Sequence, residues 1–466
     1  MPIRRMSRFV MAMRIANGHP ITVTMNKKFL TRTFPGLIAV CFAFVGPTAQ
    51  RVQAQSFSVA PALPAIPGRI YNINHFGAKG DGMETNTAAI QAAINAAGAA
   101  GGGIVEVPSG IFLSGPIRLA DHINIKLDQG GILRMLPLDQ YPGGTTDPAD
   151  FISGLKLHDI AITGSGMIDG QGTPWWPYAR VRGARRPRMI ALSSCDRVLI
   201  DGVTLSNSPM FHIAIGGRSA NVTVRAVTIR ANPSTDPVHP GHNTDACDVS
   251  GTNILIENCN VSVGDDDFTC GGGTSDVLIT NCTYGYGHGV SIGSHTYGGV
   301  SNIMVVNCTF NNTEQGIRIK SDRDRGGFVH NLSYLNLRMT NVDCPILIYG
   351  SYMATNRAYR DLNKLTPAIA ATYPAQSIAN RTPIYSDITF SNITATVQSG
   401  HRAGLIWGLP EAPVTNVLLQ QVNITADRPF GIYNARNVRL VDCRIITPGG
   451  VNKLSSTNAQ VTISSR

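Results

Sequence analysis

From about Ile70 onward, apolar and polar residues alternate in short runs that break at a polar corner and then resume. The phrases "DRVLIDGVTL", "ANVTVRAVTI", "TNILIENCNV", "SDVLITNCTY", "SNIMVVNCTF", "TNVLLQQVNI" and "RNVRLVDCRI" are copies of one pattern. Each holds a polar turn, a strand with a period of two, an Asn, Asp or Gly corner, and a second strand. Val, Ile and Thr dominate the apolar positions, and these residues favour strands over helices. Most copies start roughly 21 to 32 residues apart, the range of a repeat solenoid. A unit this short has no way to bury its own apolar face, so the copies must stack into one elongated core. A propeller blade needs about 40 residues, which leaves a single-stranded right-handed parallel β-helix as the predicted fold, all-β.

Two stretches depart from the pattern. "NTAAIQAAINAAGAAGGG" reads as a short Ala-rich helix with Ile90 and Ile94 one turn apart, stopped by Gly101 to Gly103. Such a helix covers the open end of a solenoid, which otherwise exposes strand edges. "YMATNRAYRDLNKLTPAIAATYPAQ" opens a larger gap between two copies and reads as an inserted loop. The cysteines of "ENCN", "TNCT" and "VNCT", Cys259, Cys282 and Cys308, fall at one repeat position and are expected to stack inside as small apolar residues.

The formal net charge of +10 suggests nucleic-acid or membrane binding until its location is considered. Residues 1–54 hold eight Lys or Arg and no Asp or Glu, which leaves 31 basic against 29 acidic residues in the rest of the chain. The basicity therefore belongs to a leader, and neither nucleic acid nor membrane is an expected partner. From Met25, a plausible true start, the leader runs from basic residues through "GLIAVCFAFVG" to a small-residue "VQA" ending at Ala54. This is the pattern of a secretory signal, too short in its apolar part to span a membrane. The expected organisation is a signal over 1–54, a Pro- and Ala-rich linker over 55–69, and a β-helix domain over 70–466, secreted or periplasmic. The eight cysteines of the mature chain permit disulfides, but a domain of this size has no need of them as scaffolding.

Candidate chemistry lies in four polar clusters on neighbouring coils. They are "HNTDACD" with Asn243, Asp245 and Asp248, "GDDD" with Asp265 to Asp267, "GHG" around His288, and "RIK" with Arg318 and Lys320. Equivalent positions on adjacent coils lie about 4.8 Å apart, so these residues form a column along one face. On a regular strand one of three consecutive aspartates faces the interior, where an unpaired carboxylate is costly. A bend after Gly264 lets two emerge together. Carboxyls that cannot all ionise freely split in pKa, which supplies the acid and the base of glycoside hydrolysis. Arg318 and Lys320, two apart on a strand, share a face suited to gripping a sugar carboxylate.

These motifs, N-T-D, G-D-D, G-H-G and R-I-K in this order, resemble those of glycoside hydrolase family 28, the polygalacturonases. "INHFGAKGDGMETNTAAIQAAI", "GSGMIDGQGTPWW" and "LSNSPMFHI" extend the resemblance over nearly all of the chain from Ile70. It implies a pectin hydrolase that cleaves α-1,4-linked galacturonate with inversion. By position, Asp265 is then the general acid, Asp245 and Asp266 hold and activate water, and His288 tunes the acid. Asn243, Arg318, Lys320 and Tyr352 bind substrate. No cofactor or metal is implied; the expected partner is an acidic polysaccharide, and the enzyme is expected to act as a monomer. Ala246 stands where the family has Gly, and Asp267 where it often has Cys, so a register with Asp266 and Asp267 as the pair is the alternative. Other pectin hydrolases of the family, acting on rhamnogalacturonan or xylogalacturonan, are the nearest alternative functions. A calcium-dependent pectate lyase and a non-catalytic carbohydrate-binding β-helix are more distant ones. Endo or exo action depends on loops at the cleft ends, for which Tyr352 to Gln376 and "STDPVHPG" before Asn243 are the candidates.

Overall fold

The computed structural model describes residues 59–465, together with a short antiparallel pair, Ala12–Met13 with Ile21–Thr22. The rest of the predicted signal over 1–54 lies outside the described residues.

The repeats form coils of three strands. One coil runs Phe268–Cys270, Thr274–Thr280 and Thr283–Gly285, and the next runs Val290–Ile292, Val300–Val306 and Thr309–Asn311. Every strand pairs in parallel with its counterpart, Phe268 against Val290, Val277 against Ile303 and Tyr284 against Phe310. Repeated up the chain, this gives the predicted right-handed parallel β-helix with three strand-lined faces. Like side chains stack inside, as with the rings of Tyr284 and Phe310 at 5.0 Å between centroids. Cys259, Cys282 and Cys308 are buried at one corner of successive coils, and all the cysteines among the described residues are unpaired.

The corners follow from residue type. Asn258, Asn281, Asn307 and Asn336 all turn the chain at positive φ, between 54° and 57°. Asn tolerates this left-handed conformation better than other residues with a side chain. Stacking then lines up their amides, so that Asn336 donates to Asn307 at 3.1 Å and Asn392 to Asn336 at 2.9 Å.

The predicted end cap is a helix, Thr87–Ala99, which buries Ile90, Ala93, Ile94 and Ala97. The predicted linker behaves differently from expectation. Its residues from Val59 have no regular structure yet lie bound along the rod. The backbone of Ala60 exchanges hydrogen bonds with the Asn253 side chain at 3.2 and 3.3 Å. Ala65 donates to Asp159 at 2.8 Å, and its carbonyl meets His122 Nδ1 at 3.0 Å. A corner ladder always leaves some amide groups unpaired at its surface, and an extended Pro-rich strap can satisfy them without a strand of its own. No helix among the described residues is long and apolar enough to cross a membrane.

One face carries the candidate site. Its outward positions align through parallel pairing as Ala191, Ala214, Asp248, Thr269, Ser291, Arg318, Leu347 and Leu405.

Candidate active site

The four clusters meet where successive coils stack. The Ala246 amide donates to the carbonyl of Asp266 at 2.9 Å, and the His288 amide donates to that of Asp265 at 2.8 Å. The turns bearing the acids are thus joined directly, although their sequence positions are about a coil apart.

The three consecutive aspartates have three environments. Asp266 is buried, and both of its oxygens are occupied. Oδ1 accepts from Ser291 Oγ at 2.7 Å and from Arg318, and Oδ2 accepts from Lys320 Nζ at 2.9 Å. Burial alone raises a carboxyl pKa, but the two cations outweigh it and hold Asp266 well below the usual carboxylate range. Asp265 reaches the open edge of the site. Its Oδ1 lies 3.0 Å from His288 Nδ1, and its Oδ2 accepts from Asn243 Nδ2 at 3.2 Å. Asp267 turns inward and is almost fully buried. Its Oδ2 accepts from the Gly289 amide at 2.9 Å, while Oδ1 has no partner. With no cation in contact, desolvation keeps it protonated. A Cβ at Gly287 would lie 2.2 Å from Asp267 Oδ1, so the first glycine of "GHG" makes room for this carboxyl. Gly264 is needed for a similar reason, since a Cβ there would meet the Gly241 carbonyl at 2.1 Å. The arrangement brings Asp265 and Asp266 into the site and leaves Asp267 out of it.

His288 sits between two carboxylates. Nδ1 faces Asp265, and Nε2 faces Glu314 Oε1 at 3.2 Å. Burial and the nearby Arg318 guanidinium push the imidazole pKa down, but the two carboxylates prevail and raise it to about 9. His288 thus favours its protonated form, with Nδ1 lying between Asp265 and the Arg318 guanidinium, 3.2 Å away. The same contact pulls Asp265 below its ordinary value against the effect of burial.

Asp245 makes no ion-pair contact with Arg318 or Lys320, unlike Asp266. It is buried, one oxygen has no partner, and its carboxyl is within hydrogen-bonding reach of Asp248. Burial and repulsion from neighbouring acids push both Asp245 and Asp248 well above the ordinary carboxylate value. Two carboxyls in such contact must share a proton. In the ligand-free site the carboxyls with raised pKa are thus Asp245 and Asp248, whereas the expectation places the acid at Asp265.

The predicted substrate-binding residues are near the site but largely engaged within the protein. Asn243 stands at positive φ, with its Oδ1 accepting from Arg186 at 2.9 Å and its amide nitrogen on Asp265. It positions Asp265. Arg318 and Lys320 are buried and both bind Asp266, so the expected grip on a substrate carboxylate is not their ligand-free state. Lys320 uses one of its three N–H donors there and lies 5.2 Å from the centre of the Tyr352 ring. Sequence reasoning missed Arg186, Ser291 and Glu314. Glu314 carried a signal, an acid on the coil between "GHG" and "RIK", but its contact with His288 depends on the stacking.

A calcium site built from Asp245, Asp248 and Asp265 to Asp267 does not fit this arrangement. Asp267 points away, Asp266 has both oxygens on protein donors, and Arg318, Lys320 and His288 already supply the positive charge.

Comparison with known proteins agrees with these observations. The signature of the glycosyl hydrolases family 28 matches residues 103–441, and that of the rhamnogalacturonase A/epimerase, pectate lyase-like group matches residues 70–129. An exopolygalacturonase of Zea mays is 32% identical over 77% of this chain and 84% of its own length. An endo-polygalacturonase of Pectobacterium carotovorum is 30% identical over 75% of this chain and 87% of its own. Among solved structures, an exopolygalacturonase from Thermotoga maritima shares the fold, with a TM-score of 0.67 at 23% identity, covering 86% of this chain and 94% of that one.

Proposed function

Since this chain belongs to glycosyl hydrolases family 28 and is a glycoside hydrolase, we propose that it cleaves the α-1,4-galacturonosyl bonds of polygalacturonate with inversion. The leader through Ala54 serves as its secretory signal.

One observation carries the assignment of roles. The Asp265 side chain is 19% exposed, against 5% for Asp266, and it lies against His288, whose pKa its carboxylate neighbours raise to about 9. Asp265 is thus the carboxyl that an incoming glycosidic oxygen reaches, with His288 Nδ1 3.0 Å away. A bound polyuronate brings its own negative charge and displaces water, and both effects raise the Asp265 pKa towards the protonated form. Asp265 then protonates the leaving oxygen. Asp266, fixed as an anion by Arg318 and Lys320, and Asp245 hold the attacking water on the opposite face of the sugar. The two donors left on Lys320 and the Tyr352 ring engage the sugar that enters.

Asp265→Asn and Asp245→Asn, assayed on polygalacturonate and on an aryl galacturonide with a good leaving group, test this assignment. Asp265→Asn should lose about a hundredfold or more in turnover on the polymer and recover much of it on the aryl substrate, which needs no acid. Asp245→Asn should be poor on both. The opposite pattern of rescue would move the acid to Asp245. The sugar first released should be the β-anomer by NMR; an α-anomer defeats inversion.

A further inference from the structure

Beyond the catalytic column the face of the β-helix changes. Arg318 pairs in register with Leu347 and then Leu405, and Lys320 with Tyr349, Trp407 and Tyr433. These outward side chains are all buried, because residues 350–383 fold across them. Leu365, Ala370 and Tyr373 of that segment complete a second apolar cluster on the outside of the sheet. Arg428 donates to the Asn363 carbonyl at 2.6 Å and Arg402 to that of Leu365 at 3.2 Å, fastening the segment down. On the opposite side of the column, small residues such as Ser153, Ala191 and Ala214 floor an open groove of about 920 Å³ that runs up to Asp248. The cleft therefore has one open end and one closed end.

The closed end keeps a pocket of about 300 Å³ bounded by Glu314, Gln315, Asp343, Arg402 and residues 361–363. Glu314 is its wall towards the column, through its contact with His288. Arg402 is 5% exposed there. Its Nε has no hydrogen-bond partner, and among the described residues no carboxylate lies within ion-pair distance of it. Gln315 Oε1 is likewise buried and unpartnered. A buried guanidinium with no carboxylate in contact is costly for a fold to keep, and although Glu314, Asp343 and Asp361 also line the pocket, the unpartnered Nε of Arg402 marks a place prepared for an anion.

We infer that this pocket seats the terminal uronic acid residue of the substrate, with Arg402 on its carboxylate, so that the enzyme cuts from a chain end. This rests on the polygalacturonate reading above and adds to it the mode of attack. Long chain lies in the open groove, and only a short terminal piece fits between Asp265 and the wall.

A product time course on polygalacturonate is the first test. Expected is a short product of constant length from the earliest point, with viscosity falling slowly relative to the reducing ends formed. Early oligomers of mixed length overturn the closed cleft while leaving the hydrolase reading intact; no hydrolysis of any polyuronate defeats both. The second test separates carboxylate recognition from fastening. Arg402→Gln keeps a donor for the Leu365 carbonyl but loses the charge, and it should raise KM for trigalacturonate about tenfold or more with a small change in kcat. Arg402→Lys, which keeps the charge, should recover most of that loss. Arg428→Gln loosens the same segment without removing a charge that faces the pocket and should raise KM by clearly less than Arg402→Gln does. Equal changes in the Arg402→Gln and Arg428→Gln enzymes would make Arg402 a fastener only.

Discussion

Asp266 and Asp245 are alike in residue type and burial and lie on adjacent coils, yet Asp266 and the Asp245/Asp248 pair have opposite chemistry. Asp266 has Arg318 and Lys320 against its two oxygens and stays ionised. Asp245 and Asp248 have no cation in ion-pair contact among the described residues, and burial and neighbouring acids push both well above the ordinary carboxylate value. The distinction comes from the coils above, which place cations over one carboxylate and not over the other. A buried acid takes its character from its neighbours, and here the cations on Asp266 arrive from 52 and 54 residues along the chain.

Removing a cation should break the contrast most severely. Arg318→Met leaves Asp266 with one cation and Ser291 with none of its guanidinium contact, and it should cost about 3–5 kcal/mol of unfolding free energy. Asp248→Asn, where no cation makes an ion-pair contact, should cost less than about 1 kcal/mol, because an amide replaces a carboxyl whose pKa is already raised towards the neutral form. Denaturant unfolding of both variants at pH 7 measures the difference, and equal losses would remove the distinction.

His288 predicts a pH dependence of intermediate size. Its pKa in the folded protein, about 9, lies above that of a free histidine, so the native state binds its proton more tightly than the unfolded chain does. The resulting stabilisation, about 2–3 kcal/mol, is fully present below about pH 6.5 and is lost as pH rises through 9. His288→Gln should flatten the stability profile across that window. A wild-type profile already flat there would mean that His288 is neutral in the folded enzyme.

The smallest effect is expected at Asp267. Asp267→Asn keeps the shape of a neutral acid and should change turnover by less than about threefold, in contrast to Asp265→Asn. A folded-state pKa raised above the unfolded value means that Asp267 disfavours folding increasingly as pH rises above about 4. The amide should therefore gain stability relative to wild type at neutral pH and lose that advantage in acid. A large loss of turnover would restore the alternative register, in which Asp266 and Asp267 form the working pair.

Much of this could be read along the chain. Alternating Val, Ile and Thr gave away the strands, the spacing of the repeats gave the coil, and the Asn corners appear at positive φ as their residue type requires. The end-capping helix was legible from Ile90 and Ile94, and the grouping of Asp245, Asp265, Asp266, His288, Arg318 and Lys320 followed from coil spacing alone. Each of these depends on a local period, and a period is present in the sequence itself. Protonation was not legible in this way. Whether an aspartate is an anion or an acid depends on the partners across the stack, and Glu314 and Arg186 carry no motif to announce them. The docking of the strap at Ala60 and Ala65 escaped for a related reason, and so did the seating of residues 350–383, although the insertion from Tyr352 to Gln376 was legible as a candidate for the cleft end. Both segments lack a period of their own and take their place from unpaired amides, carbonyls and apolar side chains that only the assembled coils present. Local pattern determined the coil and its column; long-range contact decided the charge states within the column and where the cleft ends.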